Sequence, residues 1–533
     1  MKTLSASAVW QKVTAKFDDK FNILVVLAGV TSTVLMLCQL FLRRGFWMDE
    51  ISLADNFMFL DFGQLTKALL FGQVAPLGFL FWERAVWLLA ENSAYIEYWW
   101  RIYPFLCGLG IILLYYPTAY RLTGSKAIAL FSYLFLIFMP TFIYYTSEVK
   151  QYIGEPFCAV SLLYFWSKTG EKWEWKRVLT MIAVIAFGVF NSLTICFVLL
   201  PLGLWDGFEL LKKARCRIIS MFKSKEFRLY VLQYGAALAF LVIYYFAFLY
   251  NHPHTEHMLG CWHFTFATRS NVWNLLDVVF RFFYRDFPVY ILVLSVLALS
   301  GLKNKFLFFF AITTILTHIG FSSFKLYPLF GRFALYWVTF IPVGLACLLY
   351  FPYALCCHFI AKCGYKIKYQ TVPLLLGAAM ITGVNLFQTT NFPVYVYGHY
   401  LKDVFIYINQ YYQKEDIVIE QGFDFFPTYY QMYYFKDVDF AHISSLEIYD
   451  WKRFIATSLT TELQKYPQVR FWLIVRNSQQ EEVETEIKQV LKTFYPSGSV
   501  RLQQCANPVP PNTVCLISKA APEMNANGMM FGN

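Results

Sequence analysis

The stretch "FLRRGFWMDEISLADNF", residues 41–57, follows directly on a long apolar run. It places Asp49 and Glu50 side by side among Trp47, Met48 and Ile51, where a chain leaving a membrane would be expected to meet water. Two adjacent acids with apolar neighbours are odd for a plain solvated loop, and anionic headgroups would repel them. Whether the flanking runs cross a membrane, and what the acids do there, decides the reading of the whole chain.

The composition answers the first question. Of 533 residues, 58% are hydrophobic and 20% aromatic, with a mean hydropathy of +0.46. A soluble chain rarely tolerates this, so a multi-spanning membrane protein is expected. The net charge of +11 does not point to nucleic acid, because Lys and Arg sit in short clusters between apolar runs, as topology signals do. Runs of about 17 or more mostly apolar residues can span a bilayer. They fall near 22–42, 102–120, 127–145, 153–167, 178–191, 192–208, 229–250, 288–302, 306–321, 335–352 and 371–388, with a tight turn at Asn191–Ser192 separating one pair.

Charge tests this layout. With the N-terminus inside as a retained tail and signal anchor, the cytoplasmic connections are "RLTGSK", "SKTGEKWEWKR", "LLKKARCRIISMFKSKEFR", "LKNK" and "AKCGYKIKYQ", all net basic. This is the positive-inside bias, with Arg43 and Arg44 as the exception on the outer side. The stretch 58–101 contains a tempting apolar segment, but Glu83 and Arg84 interrupt it, and counting it as a span would invert every basic loop downstream. It is expected to form helices lying in the outer interface, broken at Pro76 and Gly78. The expected fold is therefore an α-helical polytopic membrane protein of about 11 spans, N-terminus in and C-terminus out, with juxtamembrane helices in a first outer loop over 43–101.

Beyond residue 390 the pattern changes. "DIVIE", "VDFAHI", "VRFWLIV", "SVRLQQC" and "TVCLIS" read as β-strands. "SQQEEVETEIKQVLKTFY" reads as a helix with a capping box at Ser478 and Glu481. The expectation is a membrane domain over 1–390 and an extracytoplasmic α/β domain over 391–533, large enough for its own core. Cys505 and Cys515 close a short loop in that outer domain, open either to a disulfide or to two free core thiols. The loop "NHPHTEHMLGCWHF" gathers His252, His254, His257, Cys261 and His263. Its irregular spacing, with Pro253 between the first two His, favours an interfacial or acceptor-contact loop over a zinc site.

The expected outer face collects ionisable residues. Asp49 and Glu50 open the first loop and Arg101 in "YWWRIYP" closes it; "YYTSEVKQY" carries Glu148, Lys150 and Tyr152; "FKLYPLFGRF" carries Lys325 and Arg332. Ionisable groups at that depth are costly unless they pair or bind something. Snorkelling with headgroup contact is the bland reading for any one cation, and it is weaker for the acids. A chemical reading satisfies both signs. A lipid-linked phosphate wants cations, with Arg offering two-point contact, and a hydroxyl attacking a sugar carbon wants a carboxylate as general base.

The ordered set "GFWMDEISLADNF", "APLGFLF", "YWWRIYPFLCG" and "IYYTSEVKQY" resembles the C-type (GT-C) membrane glycosyltransferases. It is most similar to the family of protein O-mannosyltransferases, the lipid A aminoarabinose transferase and lipopolysaccharide-core transferases. The resemblance spans about 20–340 plus the plan of a C-terminal outer domain. It implies polyprenyl-phosphate sugars as donors; no nucleotide cofactor is expected, and a divalent metal is not favoured. It also implies Asp49 as catalytic base, with Glu50 supporting the acceptor site. Arg101, Lys150, Arg332 and Lys325 would meet the donor phosphate, and Glu148, Tyr152, Arg43 and Arg44 would lie beside the substrate. One departure stands out: the family often has "HPPL" where this chain has "VAPL", residues 74–77. The acceptor would be a glycolipid, glycan or protein. No N-x-Ser/Thr sequon occurs, which leans towards a bacterial inner membrane. A transporter or lipid flippase is the alternative, disfavoured because the charges gather at one face and the spans show no repeat.

Overall fold

The structure, a computed structural model, describes residues 6–41, 45–46, 48–91, 93, 95–170, 172–214, 218–250, 263–285, 287–362, 377, 379, 381–383, 408, 416–422, 439–444, 470–475, 485–489, 492, 499–503 and 513–518. The chain divides into two compact units. One comprises Met1–Leu42 with Asn56–Phe392, the other Arg43–Asp55 with Pro393–Asn533.

The helices of the first unit run in order α1 (Ala6–Phe41), the end of α2 (Met48–Phe59), α3 (Leu77–Ala90), α4 (Ile96–Trp100), α5 (Ile102–Thr123), α6 (Lys126–Ile137), α7 (Pro140–Tyr145) and α8 (Gly154–Thr169). They continue as α9 (Trp175–Asn191), α10 (Ile195–Lys213), α11 (Ile218–Lys223), α12 (Lys225–Tyr244), α13 (Val272–Phe283), α14 (Val289–Leu299), α15 (Phe306–Ser323) and α16 (Ile341–Lys362). Every apolar run up to residue 352 falls on helix, and of the run 371–388 the described residues are helical. Among the described residues, Phe21–Phe41, Ile96–Thr123, Lys225–Leu249 and Phe306–Ser323 are long and apolar enough to cross a bilayer alone. The other expected spans lie on helices that are shorter, more polar or bent.

Local sequence sets the helix ends. Gly124, left-handed at φ 68°, ends α5, and Ser125 then caps α6 by accepting from Ile128 N at 3.3 Å. Ser224 caps α12 in the same way, accepting from Phe227 N at 3.1 Å.

Two expected spans are broken, each at a proline. The run 127–145 splits between α6 and α7 because Pro140 has no N–H and cannot continue the ladder. The run 335–352 begins instead as a 3-10 helix, Gly331–Thr339, bent by 56° from the helix that follows. There Pro342 leaves the Val338 carbonyl without its helical donor. In a membrane such carbonyls must be satisfied from neighbouring elements, and they are. The Ser32 hydroxyl on α1 donates to Ile137 O at 2.7 Å, and Tyr284 donates to Phe135 O at 3.2 Å. Tyr115 on α5 donates to Val338 O at 3.1 Å.

Arg177, one of the cations read as a topology signal, is buried rather than solvated. It pairs with Asp206 at 2.7 Å. Tyr234 and Trp166 donate to the same carboxylate at 2.8 and 3.2 Å. Four helices, α8, α9, α10 and α12, thus share one buried ion pair.

In the stretch 58–101 the break comes at Pro76, which precedes α3 in extended backbone. Gly78 does not break the helix as expected. It lies in the first turn of α3, where an added Cβ would fall 2.2 Å from Asn191 Oδ1, so it serves close packing of α3 on α9.

In the second unit, the five β-type runs are strands: β1 (Ile417–Gly422), β2 (Asp439–Ser444), β3 (Arg470–Val475), β4 (Ser499–Gln503) and β5 (Thr513–Ser518). They form one sheet in the order β2-β1-β3-β5-β4. β1 is parallel to β2 and β3, whereas β5 is antiparallel to β3 and β4. Phe471, Trp472 and Leu473 are consecutive and all buried. Side chains alternate between faces, so β3 is covered on both sides, as a central strand of a layered α/β sheet is. Trp472 Nε1 donates to the buried Asp416 carboxylate at 2.9 Å. The helix expected from residue 478 is described at 485–489, with Ile487 buried; its capping box lies outside the described residues.

Gly344 on α16 packs against the α14 backbone, and an added Cβ would fall 2.6 Å from the Ser295 carbonyl oxygen. Gly344→Ala is therefore expected to destabilise the protein by about 1–3 kcal/mol, because backbone cannot swing away as a side chain can. Gly235→Ala on α12, with nothing within 4 Å of the added methyl, is expected to be neutral or stabilising by up to about 1 kcal/mol. Thermal unfolding of the two purified variants checks the contrast.

Candidate functional site

The site in the first unit is built around the turn between α7 and α8. Thr146 and Ser147 fold their hydroxyls back onto Ile143 O and Tyr144 O, at 2.7 and 3.1 Å, closing the last turn of α7. The chain then reverses through Glu148 and Lys150, both buried, and enters α8 through the 3-10 turn Gln151–Ile153. Arg101, fully buried at the junction of α4 and α5, donates from Nε to Ser147 O at 3.0 Å. Lys150 Nζ donates to Gln73 Oε1 at 2.7 Å, and Gln151 Nε2 donates to Val74 O at 3.1 Å. The "VAPL" stretch thus docks its leading backbone on this turn before Pro76 starts α3.

Arg332 opens the 3-10 helix Gly331–Thr339 and is 9% exposed. Its guanidinium lies 5.4 Å from the ring centre of Tyr152 and 5.5 Å from that of Phe333, within cation–π range. Tyr145 packs edge-on against Tyr152 at 5.4 Å and lies within electrostatic reach of Glu148 and Arg332. The structure therefore brings Arg101, Glu148, Lys150, Tyr152 and Arg332 into one connected neighbourhood. Of these residues three are cations and one is a carboxylate. Burying this much charge is expensive.

Lys325 is placed differently. It is exposed and holds a left-handed turn at φ 58°. Arg43 and Arg44 lie outside the described residues, as do His252, His254, His257, Cys261 and Cys505. Among the described residues no three His, Cys, Asp or Glu lie together as a metal site would need.

Asp49 and Glu50 occupy the first turn of α2, where the helix dipole favours negative charge. Glu50 is buried and Asp49 half-buried. Both belong to the second unit. The other end of the same helix is held by Arg84, whose Nη1 donates to Phe57 O at 2.7 Å and Met58 O at 2.9 Å. A cation on the last carbonyls complements the dipole and satisfies groups the helix leaves open. Leu70 N adds a bond to Asn56 Oδ1 at 2.7 Å. In the sequence Arg84 registered only as an interruption of an apolar run. Its neighbour Glu83 is fully buried, and burial holds its carboxyl well above the usual carboxylate range.

No protein-family model matches the chain and no curated protein sequence is significantly similar to it. Solved structures are similar. ArnT from Cupriavidus metallidurans bound to undecaprenyl phosphate aligns with TM-score 0.50 at 14% identity, covering 94% of this chain and 99% of that one. ArnT from the same organism in the apo state aligns with TM-score 0.52 at 13% identity, with the same coverage. The chain shares the fold of these two ArnT structures. Arabinofuranosyltransferase AftD from Mycobacteria aligns more distantly, with TM-score 0.45 at 10% identity over 93% of this chain and 40% of that one, and nothing further rests on it.

Asp55, also on α2, is buried, and its Oδ1 has no hydrogen-bond partner. Burial pushes its carboxyl from the ordinary 3.8 up to about 7. Between these values the folded protein holds a proton that the unfolded chain has lost, so stability falls as pH rises through the window and levels off above about 7. Wild type should lose up to about 1.4 kcal/mol per pH unit there relative to Asp55→Asn. Parallel Tm curves for the two proteins across the window would contradict this.

Proposed function

We propose that the protein is an integral-membrane glycosyltransferase. It would move a sugar from a polyprenyl-phosphate donor to a hydroxyl on a glycolipid such as lipid A or lipopolysaccharide, a glycan or a protein. The observation that carries the proposal is the buried gathering of Arg101, Lys150 and Arg332 in a chain with this fold. Its similarity to an ArnT structure bound to undecaprenyl phosphate supports a lipid-phosphate ligand for these cations. In this reading the protein spans a bacterial inner membrane with the N-terminus cytoplasmic, and the reaction takes place on the outer face. Residues 391–533 form an extracytoplasmic α/β domain.

The chemistry needs few parts. The cations hold the donor phosphate, with Arg332 braced by Tyr152 and Lys150 by Gln73. Asp49 accepts the proton from the acceptor hydroxyl as its oxygen attacks the anomeric carbon from the side opposite the phosphate. The bond between that carbon and the phosphate oxygen breaks, the sugar inverts, and polyprenyl phosphate departs carrying one more negative charge. Electrostatic stabilisation of that leaving group is the cations' contribution to rate. Glu50 orients the acceptor side. Glu148 balances the cation cluster so that the departing lipid can be released. Lys325 contacts headgroups.

Asp49→Asn keeps shape and hydrogen-bonding reach but removes the proton acceptor. Transfer from polyprenyl-phosphate sugars should fall about 10²–10⁴-fold while undecaprenyl phosphate still binds normally. Glu50→Gln should lose less. Near wild-type turnover of Asp49→Asn would sink the mechanism.

Arg332→Ala and Lys150→Ala should instead weaken undecaprenyl phosphate binding by about 1.5–3 kcal/mol each, with thermal stability largely kept. Unchanged affinity in both would return them to the role of snorkelling residues.

A further inference from the structure

His318 is the one ionisable residue of α15 and is fully buried. Its Nε2 lies 3.0 Å from the Pro328 carbonyl oxygen and its Nδ1 lies 2.9 Å from the Tyr336 hydroxyl. A carbonyl can only accept, so Nε2 carries the ring proton; Nδ1 then accepts from the Tyr336 hydroxyl. Both ring nitrogens are used and a single neutral tautomer is fixed. Phe197 stacks on the ring at 5.0 Å and on Tyr336 at 5.4 Å, so neither partner can rotate freely.

The two anchors bracket Arg332, which follows Pro328 by four residues and precedes Tyr336 by four (332 − 328 and 336 − 332). The stretch between them is not a regular α-helix but an extended entry and a 3-10 helix, whose weaker internal bonding leaves its position to outside contacts. One of these is Leu329 N donating to Thr265 O at 2.9 Å. Others are ring packing of Phe330 on Phe264 and of Phe333 on Tyr152, and the imidazole, whose two nitrogens reach Pro328 at one end and Tyr336 at the other.

We propose that His318 is a positioning residue that sets Arg332 over Tyr152 for the donor phosphate. The inference rests on the reading of Arg332 given above. It differs from an ordinary core histidine in predicting that the effect of His318 on ligand binding passes through one residue.

The test uses the full chain in detergent, with undecaprenyl phosphate as the probe. The variants are His318→Phe, which keeps a stacked ring but loses both hydrogen bonds, and the milder Tyr336→Phe, which loses one. Amide hydrogen exchange over 324–336 and the Kd are measured for each, alone and combined with Arg332→Ala. Exchange in the segment should rise in both variants. His318→Phe should weaken binding about 10-fold, within the range of a lost charge-assisted contact, and should add nothing once Arg332 is Ala. His318→Gln, whose amide can still donate to Pro328 O, should recover part of the affinity.

Unchanged exchange in both variants overturns the clamp whatever Arg332 does. Additive losses in the double variant overturn the coupling to Arg332. Raised exchange together with normal binding by Arg332→Ala leaves the clamp standing and removes the phosphate role of Arg332 instead.

Discussion

The bond from Arg101 Nε to the Ser147 carbonyl is the constraint on which the arrangement of the first unit's buried cations depends. Arg101 is fully buried, and an uncompensated guanidinium there would cost several kcal/mol. The turn after α7 must therefore come to it, and that turn carries Glu148 and Lys150. Lys150 and Gln151 then hold the segment 73–74, which fixes where α3 begins. Arg84 on α3 in turn holds the last carbonyls of α2. One buried cation thus propagates, through successive hydrogen bonds, to the last turn of α2.

Broken helices recur wherever this network needs a side chain at an angle that a straight span cannot give. α7 is cut from α6 at Pro140, and α16 from the preceding 3-10 helix beside Pro342. Each cut frees carbonyls, and a hydroxyl from a neighbouring helix satisfies one at each break: Ser32 at the first and Tyr115 at the second. These hydroxyls cost little to bury because each has its acceptor. The breaks are therefore stable features, and they orient the Tyr145–Tyr152 pair and Arg332.

Much of this was legible in the sequence, for physical reasons specific to each element. Span-length apolar runs must be helical in a bilayer, and the helices fall where hydropathy puts them. Short β-type runs marked the five strands, including the doubly buried β3. Legibility failed where a residue's role depends on a partner far along the chain. Arg177 reads as one more cytoplasmic cation until Asp206 is found 2.7 Å away. Gly78 reads as a breaker until its contact with Asn191 is seen. In the candidate site, Arg101, Lys150 and Arg332 could be named because cations at the edges of apolar runs are conspicuous. Gln73, Arg84 and His318, which hold them or the adjoining helix, could not. A glutamine in a loop, an arginine inside an apolar run and a lone histidine on an apolar helix each have a commoner and blander explanation.

The acids divide along the same line. Asp55 and Glu83 are more deeply masked in sequence than Asp49 and Glu50, yet burial perturbs both. A carboxyl held neutral by burial is a poor proton acceptor, because the base must be ionised before the acceptor hydroxyl arrives. Glu83, fully buried and with its carboxyl held up by that burial, fits better as a neutral group within the packing of α3. Asp55 titrates near neutrality from a site where one oxygen lacks a partner, which suits a stability-limiting group more than a catalytic one. Asp49, half-buried and in the first turn of α2, keeps contact with water and sits where the backbone amides favour its charge. Among the acids of this helix it is the one whose surroundings are compatible with taking a proton and giving it back to solvent in every cycle.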